Sequence, residues 1–336
     1  MTASSNRKVR LRDVAEKAGV SLATASRALN GQSDVSQRAR AKVLEAARSI
    51  GFDTSRFSTK DNGELTVGLL TGDPSGRFSM GILSGAESAF EHRSVGVLLC
   101  STLNDVIREK HYIKSLIERS VDGLIIIGET TNARLSLGSD LPVPVVYAFS
   151  ASDSPLDTSH VPDDFSGGYK AAQHLISIGR TRIAYIAGPE NYLSASQRLA
   201  GAEKALAEAG LKLTGQPMFG TWWNQQWGRN AGNILLTQHP DIDAIICGND
   251  QIALGVQYIA QTLNIKVPED VSLVGFDNWS FFAEEAPVPI TSIDLNLEDI
   301  GKAAVHALFK AIDSGAEAGL HYHEPSLIIR DSTSPK

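Results

Sequence analysis

Cysteine is almost absent from this chain. Cys100 and Cys247 are the only two in 336 residues, and each lies inside or at the end of an apolar run. Two such thiols read as buried and reduced, not as a disulfide framework. No apolar run approaches the roughly 20 residues that cross a bilayer. The basic start, "MTASSNRKVRLRD", leads into no apolar segment, so no secretory signal is expected. These absences point to a cytoplasmic protein with no membrane partner. Catalytic fingerprints are missing too. No Gly-x-Gly-x-x-Gly follows an apolar run, no phosphate-binding glycine loop occurs, and no Gly-x-Ser-x-Gly elbow occurs. "HYHEP" at His321–Pro325 sets two histidines two apart, which reads as the face of an edge strand and not as a metal site. No enzyme, cofactor or metal is expected.

Charge is present in a lopsided way. The net charge is -7, yet residues 1–60 carry 12 Lys and Arg against 5 Asp and Glu. The remainder carries 19 against 33. A head of +7 on a body of -14 is the footprint of a protein that meets a polyanion at one end only.

The head has a helical pattern. Leu11, Val14, Ala15 and Ala18 recur on one face, and Gly19 stops that helix. Ser21 is a good N-cap, and Val20 before it can staple against Ala25. In "SLATASRALN", Ala25, Ala28 and Leu29 face inward, while Leu22, Ala23, Ser26, Arg27 and Asn30 share the outer face. Ser36 caps a third helix whose Ala39, Val43, Ala46, Ala47 and Ile50 face the core, and Gly51 ends it. Helix, tight turn, helix and supporting helix make a helix-turn-helix. The middle helix is small and polar outside because small side chains seat in a major groove. Arg27 can then bind guanine bidentately. Ser21, Thr24 and Asn30 are short donors suited to phosphates.

"LRDVAEKAGVSLATASRALNG…VSQRARAKVLEAARSIGF" closely resembles the head of lactose-repressor-type (LacI/GalR) bacterial transcription regulators. The resemblance places the base-reading positions at Leu22 and Ala23, and the reading arginine at Arg27. Ala25 stands where that family usually has valine. Residues 53–64, "DTSRFSTKDNGE", read as a linker. The family's hinge helix begins with Pro-Asn and carries a leucine wedge. Here Thr54-Ser55 stands near the first, and no leucine occurs between Leu44 and Leu65. Phe57 is a candidate wedge; a plain tether is the other reading.

From Leu65, short apolar runs such as "LTVGLLTG", "DGLIIIG", "RIAYIAG" and "VSLVGFD" alternate with helical periods. That alternation predicts doubly wound parallel sheets, with ligands beyond the strands' carboxyl ends. Asp73, Gly188, Asn249-Asp250 and Asp277 follow such runs. "HLISIGRTRIAYIAGPE…SQRLAGAEKAL", "GNDQIALG", "VPEDVSLVGFDN" and "PITSIDLNLEDIGKAA" extend the resemblance over the body. It implies a periplasmic-binding-protein-like body of two lobes with the effector in the cleft. The expected domains are residues 1–52, the linker 53–64, and the body 65–336. Lobe 1 should span about 65–162 and 293–321, and lobe 2 about 163–290 and 322–336. The crossings are expected near Val161–Asp164, Ile290–Asp294 and His321–Glu324.

The resemblance also maps effector contacts onto Asp73, Arg198, Trp223, Asn249 and Asp277. Their chemistry is coherent by itself. Carboxylates and an arginine fork bind vicinal hydroxyls, and tryptophan offers a face to a ring. The expected protein is a homodimeric, ligand-controlled regulator of near-palindromic operator DNA, a repressor with a sugar effector. A nucleoside or purine effector is the rival. Dimer contacts are expected from helices near Phe78–His92 and Asn104–Arg119. A transport-type sugar-binding protein would share the body but would need a signal peptide and no helix-turn-helix.

Overall fold

The computed structural model describes residues 11–29, 35–52, 65–73, 75–90, 93–138 and 140–333, and the chain divides into two compact units. Asn30, the linker 53–64 and Phe57 lie outside the described residues.

In the N-terminal unit, α1 (Leu11–Ala18), α2 (Leu22–Leu29) and α3 (Gln37–Ser49) close over a small core. Val14, Ala25, Ala28, Leu29, Val43 and Ala47 are fully buried there. Gly19 has φ +65°, and beside it the Val20 amide donates back to the Ala15 carbonyl at 3.1 Å. This left-handed exit lets α2 turn sharply away from α1, and glycine adopts it without a Cβ penalty. Ser36 caps α3, its Oγ accepting from the Ala39 amide at 3.3 Å.

The larger unit holds two sheets. The first has six strands in the order β10-β5-β4-β3-β1-β2. These are β1 (Leu65–Thr71), β2 (Val95–Ser101), β3 (Gly123–Ile127), β4 (Val145–Ala148), β5 (Thr158–Pro162) and β10 (Gly319–His323). The pairs β1–β3, β3–β4, β4–β5 and β5–β10 are parallel. The second has five strands in the order β11-β9-β8-β7-β6. These are β6 (Ile183–Ile186), β7 (Ala244–Cys247), β8 (Ser272–Phe276), β9 (Thr291–Asp294) and β11 (Ser326–Ile328). Four of them run parallel, whereas β11 pairs with β9 antiparallel. Burial on both faces explains why the central strands β3 and β7, with Leu124–Ile127 and Ala244–Cys247, read as unbroken apolar runs.

The helices are α4 (Ser79–Ala89), α5 (Val106–Glu118), α6 (Asp164–Ser177), α7 (Leu193–Glu208), α8 (Gln225–Gln238), α9 (Asp250–Thr262), α10 (Ser280–Ala283) and α11 (Leu297–Ser314). The chain passes from the first lobe to the second between β5 and α6, returns between β9 and α11, and leaves again between β10 and β11. The second passage differs from expectation. It was expected near Ile290–Asp294 with lobe 1 resuming at about 293, but Thr291–Asp294 is β9 of the second sheet, so the change of lobe follows Asp294. Likewise β10 keeps the first lobe as far as His323.

Candidate functional site

The outer face of α2 presents Leu22, which is 51% exposed, together with exposed Ala23 and Arg27. The Arg27 Nε donates to the Ala23 carbonyl at 3.3 Å, which lays the side chain back over the N-terminal turn. Ser21 caps the helix: its Oγ accepts from the Thr24 amide at 3.0 Å and lies 2.7 Å from Thr24 Oγ1. The predicted reading face is therefore on the surface, and two predicted phosphate contacts, Ser21 and Thr24, are tied into the cap.

In the body, the carboxyl ends of both sheets converge on a cavity of about 150 Å³. Four of the five predicted effector residues line it: Asp73 after β1, Arg198 on α7, Trp223 before α8 and Asp277 after β8. Asn249 does not, which corrects the expectation. It is 1% exposed and caps α9, its Oδ1 accepting from the Ile252 amide at 2.8 Å. Its Nδ2 donates to the Trp223 carbonyl at 3.4 Å. A residue straight after a strand is also the residue straight before a helix, and capping needs the same small amide that binding would.

Asp73 faces the cavity but is engaged with its own loop. Oδ1 accepts from the Ser75 amide at 3.1 Å and its hydroxyl at 2.8 Å. Oδ2 accepts from the amides of Phe78 at 2.8 Å and Ser79 at 3.1 Å. Burial pushes this carboxyl up, but those donors outweigh it and hold its pKa below the ordinary range. Asp73 thus shapes the loop that delivers Arg77 and Phe78.

Arg198 is 4% exposed. Its Nε donates to Asp164 at 2.8 Å, its Nη1 donates to the Gly248 carbonyl at 2.7 Å, and Asp277 Oδ1 is 3.6 Å away. Its position depends on a backbone-to-backbone contact between α6 and α7. A Cβ on Gly168 would come within 1.9 Å of the Arg198 carbonyl oxygen, and one on Gly201 within 2.0 Å of the Phe165 oxygen. Trp223 stands edge-on to Tyr192, with ring centroids 5.7 Å apart, and packs on the second lobe's core. Asp277 has φ +89°, a conformation that costs a non-glycine residue about 1–3 kcal/mol and gathers at functional sites. Its amide donates to the Ile293 carbonyl at 2.8 Å, and the next residue, Asn278, is held by Arg330 at 2.7 Å.

Sequence reasoning missed Arg77, Phe78, Glu129, Phe149, Tyr192 and Ser194, which complete the lining together with Ser75, Thr130 and Thr131. Arg77 is paired with Asp277, the first from lobe 1 and the second from lobe 2. Burial pushes its pKa down to about 10, helped by Arg198 and opposed by Asp250 and Asp73. Phe78 stacks on Phe149 at 4.3 Å. Burial and the neighbouring Asp73 push the Glu129 carboxyl up. The available signal was position: Glu129 and Phe149 follow apolar runs, as Asp73 does. Across the cleft, Asn132 Nδ2 donates to the Asn191 carbonyl at 3.1 Å, and its Oδ1 accepts from the Leu193 amide at 2.6 Å.

Residues 64–328 match the family model for periplasmic binding proteins and the sugar-binding domain of the LacI family, and residues 10–55 match that of the bacterial regulatory proteins of the lacI family. The transcriptional repressor PurR of Aliivibrio fischeri is 30% identical over 331 residues, covering 96% of this chain and 98% of its own. The cellobiose-bound regulator CelR is 28% identical, with TM-score 0.64 over 96% of this chain and 99% of its own. The lac repressor dimer bound to operator and the anti-inducer ONPF is 26% identical, with TM-score 0.68 over 97% and 99%. With a helix-turn-helix at its head and a two-lobed cleft in its body, this chain belongs to the LacI family of bacterial transcription regulators.

Proposed function

We propose that the protein is a homodimeric repressor that binds a near-palindromic operator through α2 and releases it, or grips it, according to a neutral carbohydrate in the body cleft. The observation that carries the effector reading is the charge balance of the cavity. Each guanidinium that lines it already faces a carboxylate, Arg77 with Asp277 and Arg198 with Asp164, and Asp73 and Glu129 add further negative charge. An anionic ligand would be repelled. A ring bearing hydroxyls would exchange hydrogen bonds with Asp277, Ser194 and Thr131 while its apolar face lies on Trp223 or Phe78. The similar regulator CelR is a cellobiose complex, which supports the sugar reading. A purine is the second reading, favoured by the stacked pair Phe78–Phe149, whose flat faces suit a base as well as a pyranose.

Two heads would meet half-sites about one helical turn apart. The dimer contact fits the first lobe, where Met80, Leu99, Val106 and Ile107 are 63%, 54%, 64% and 81% exposed on α4, β2 and α5. The effector acts only through its difference in affinity for two lobe arrangements. A coupling of about 1–3 kcal/mol changes operator affinity roughly 5–150-fold. Operator titration with and without the sugar selected by a thermal-shift panel tests this. Asp277→Asn should remove the response while operator binding persists. An unaltered response would place Asp277 outside the effector site, and a hit confined to purines would replace the sugar.

A further inference from the structure

The cleft is not one space. On one side of Arg77 and Asp277 lies the cavity of about 150 Å³ described above, and on the other a second chamber of about 540 Å³. Arg77, Phe78 and Asp277 line both, so they form the partition between them. The outer chamber is walled by Asn278, Trp279, Asp294, Asn296 and Glu298. The partition is well built. The Arg77 and Asp277 side chains are only 14% and 4% exposed, and the guanidinium lies 4.9 Å from the Phe78 ring centre and 5.4 Å from that of Trp279. It joins the two lobes, because Phe78 and Arg77 precede α4 while Asp277 and Trp279 follow β8.

We infer that Arg77 is a specificity-determining gate: its ion pair with Asp277 limits the effector to a single ring system in the inner chamber, and its removal opens the cleft to two-ring ligands. The inference rests on the cleft being the effector site. The inner chamber is smaller than the ~300–1,000 Å³ of pockets for drug-sized ligands, and the outer chamber has room for the second ring of a ligand that spans both. A ligand that spans both must break the pair. That takes from the buried Arg77 the carboxylate it is paired with, while Asp277 keeps Arg198 at 3.6 Å, and an uncharged disaccharide replaces that carboxylate incompletely. A single ring in the inner chamber leaves the pair intact. The gate therefore penalises length without penalising ring chemistry.

The test uses the full chain and calorimetric titration with D-ribose, D-glucose, D-galactose, cellobiose, maltose, hypoxanthine and inosine. Wild type should favour a probe of one ring system, a purine's fused rings counting as one, over its counterpart of two by about tenfold or more, a margin typical of steric discrimination in a pocket. Arg77→Ala should erase most of that margin, and Arg77→Lys, which keeps the charge, should keep it. Where Arg77→Ala fails to fold, Arg77→Gln serves the same comparison. Equal binding of a two-ring probe by wild type, or an unchanged margin in Arg77→Ala, overturns the gate. Hypoxanthine bound and inosine refused would retire the sugar reading and keep the gate. If no probe binds, hydrogen exchange decides. Arg77→Ala should speed amide exchange in residues 75–80 and 276–283 while Arg77→Lys does not, and equal exchange in all three proteins overturns the proposal.

Discussion

Arg27 is the residue on which specificity at the DNA end should turn. It stands on the exposed face of α2, braced against the Ala23 carbonyl, and it carries a fork that matches guanine. Arg27→Ala should weaken operator binding by about 1–3 kcal/mol and relax preference at one base pair. A binding-site selection assay reads both effects, and uniform weakening on all sequences would make Arg27 a phosphate contact. A second residue-scale prediction concerns pH. His160 sits on β5, 3.0 Å from His323 and stacked on His321 at 4.8 Å. Burial, then His323 and His321, push its pKa down from 6.5 to about 4. His323 is also pushed down by burial, with Asp299 opposing. The unfolded chain thus binds more protons than the folded one between pH 6.5 and 4, so this contribution to stability is full above 6.5 and is lost as pH falls through that window. Asp250 works the other way, since burial raises its pKa to about 7. The measurement is therefore a difference. Melting temperature should fall less steeply from pH 7 to 4 in His160→Gln than in wild type, and parallel curves would refute the assignment.

At the scale of elements, the middle helix of the head answers to two environments. Its inner Ala25, Ala28 and Leu29 are fully buried, and its outer face leaves Leu22, Ala23 and Arg27 exposed. Periodicity over a few turns made this visible in the sequence. The contact between α6 and α7 was not visible, because it depends on two glycines 33 positions apart meeting each other's backbone. Gly201→Ala should force those helices apart at a cost of about 1–3 kcal/mol. It should also shift Arg198, which is carried on the same turn of α7. Reduced thermal stability together with a weakened effector response is the expected result, and a neutral substitution would mean the helices yield without moving the site. Ile293 and Asp294 were assigned to the first lobe for a related reason. A strand of four residues looks the same from sequence whether it closes one sheet or opens the next, and its partner β8 decided the matter.

For the whole molecule, charge is the first determinant. A head of +7 and a body of -14 let only one end approach DNA. Operator affinity should fall linearly on a log–log plot against salt, by about 10³–10⁵ between 50 and 200 mM if the dimer neutralises about 6–10 phosphates. Fluorescence anisotropy over that range measures the slope, and a flat response would show that base contacts alone hold the complex.

The sequence by itself determined what near neighbours control: three amphipathic helices with their caps and stops, the alternation of buried strands with helices, and the charge division between head and body. Those features depend on spacings of two to four residues, and a chain carries them openly. The tertiary structure alone decided which residues meet. It paired Arg77 with Asp277 across 200 positions of sequence and turned Asn249 from a ligand candidate into a helix cap. It also committed the oxygens of Asp73 to its own loop. A binding site is a convergence of distant strand ends, and which side chain is spent on folding and which faces the cavity is settled only when the other lobe arrives.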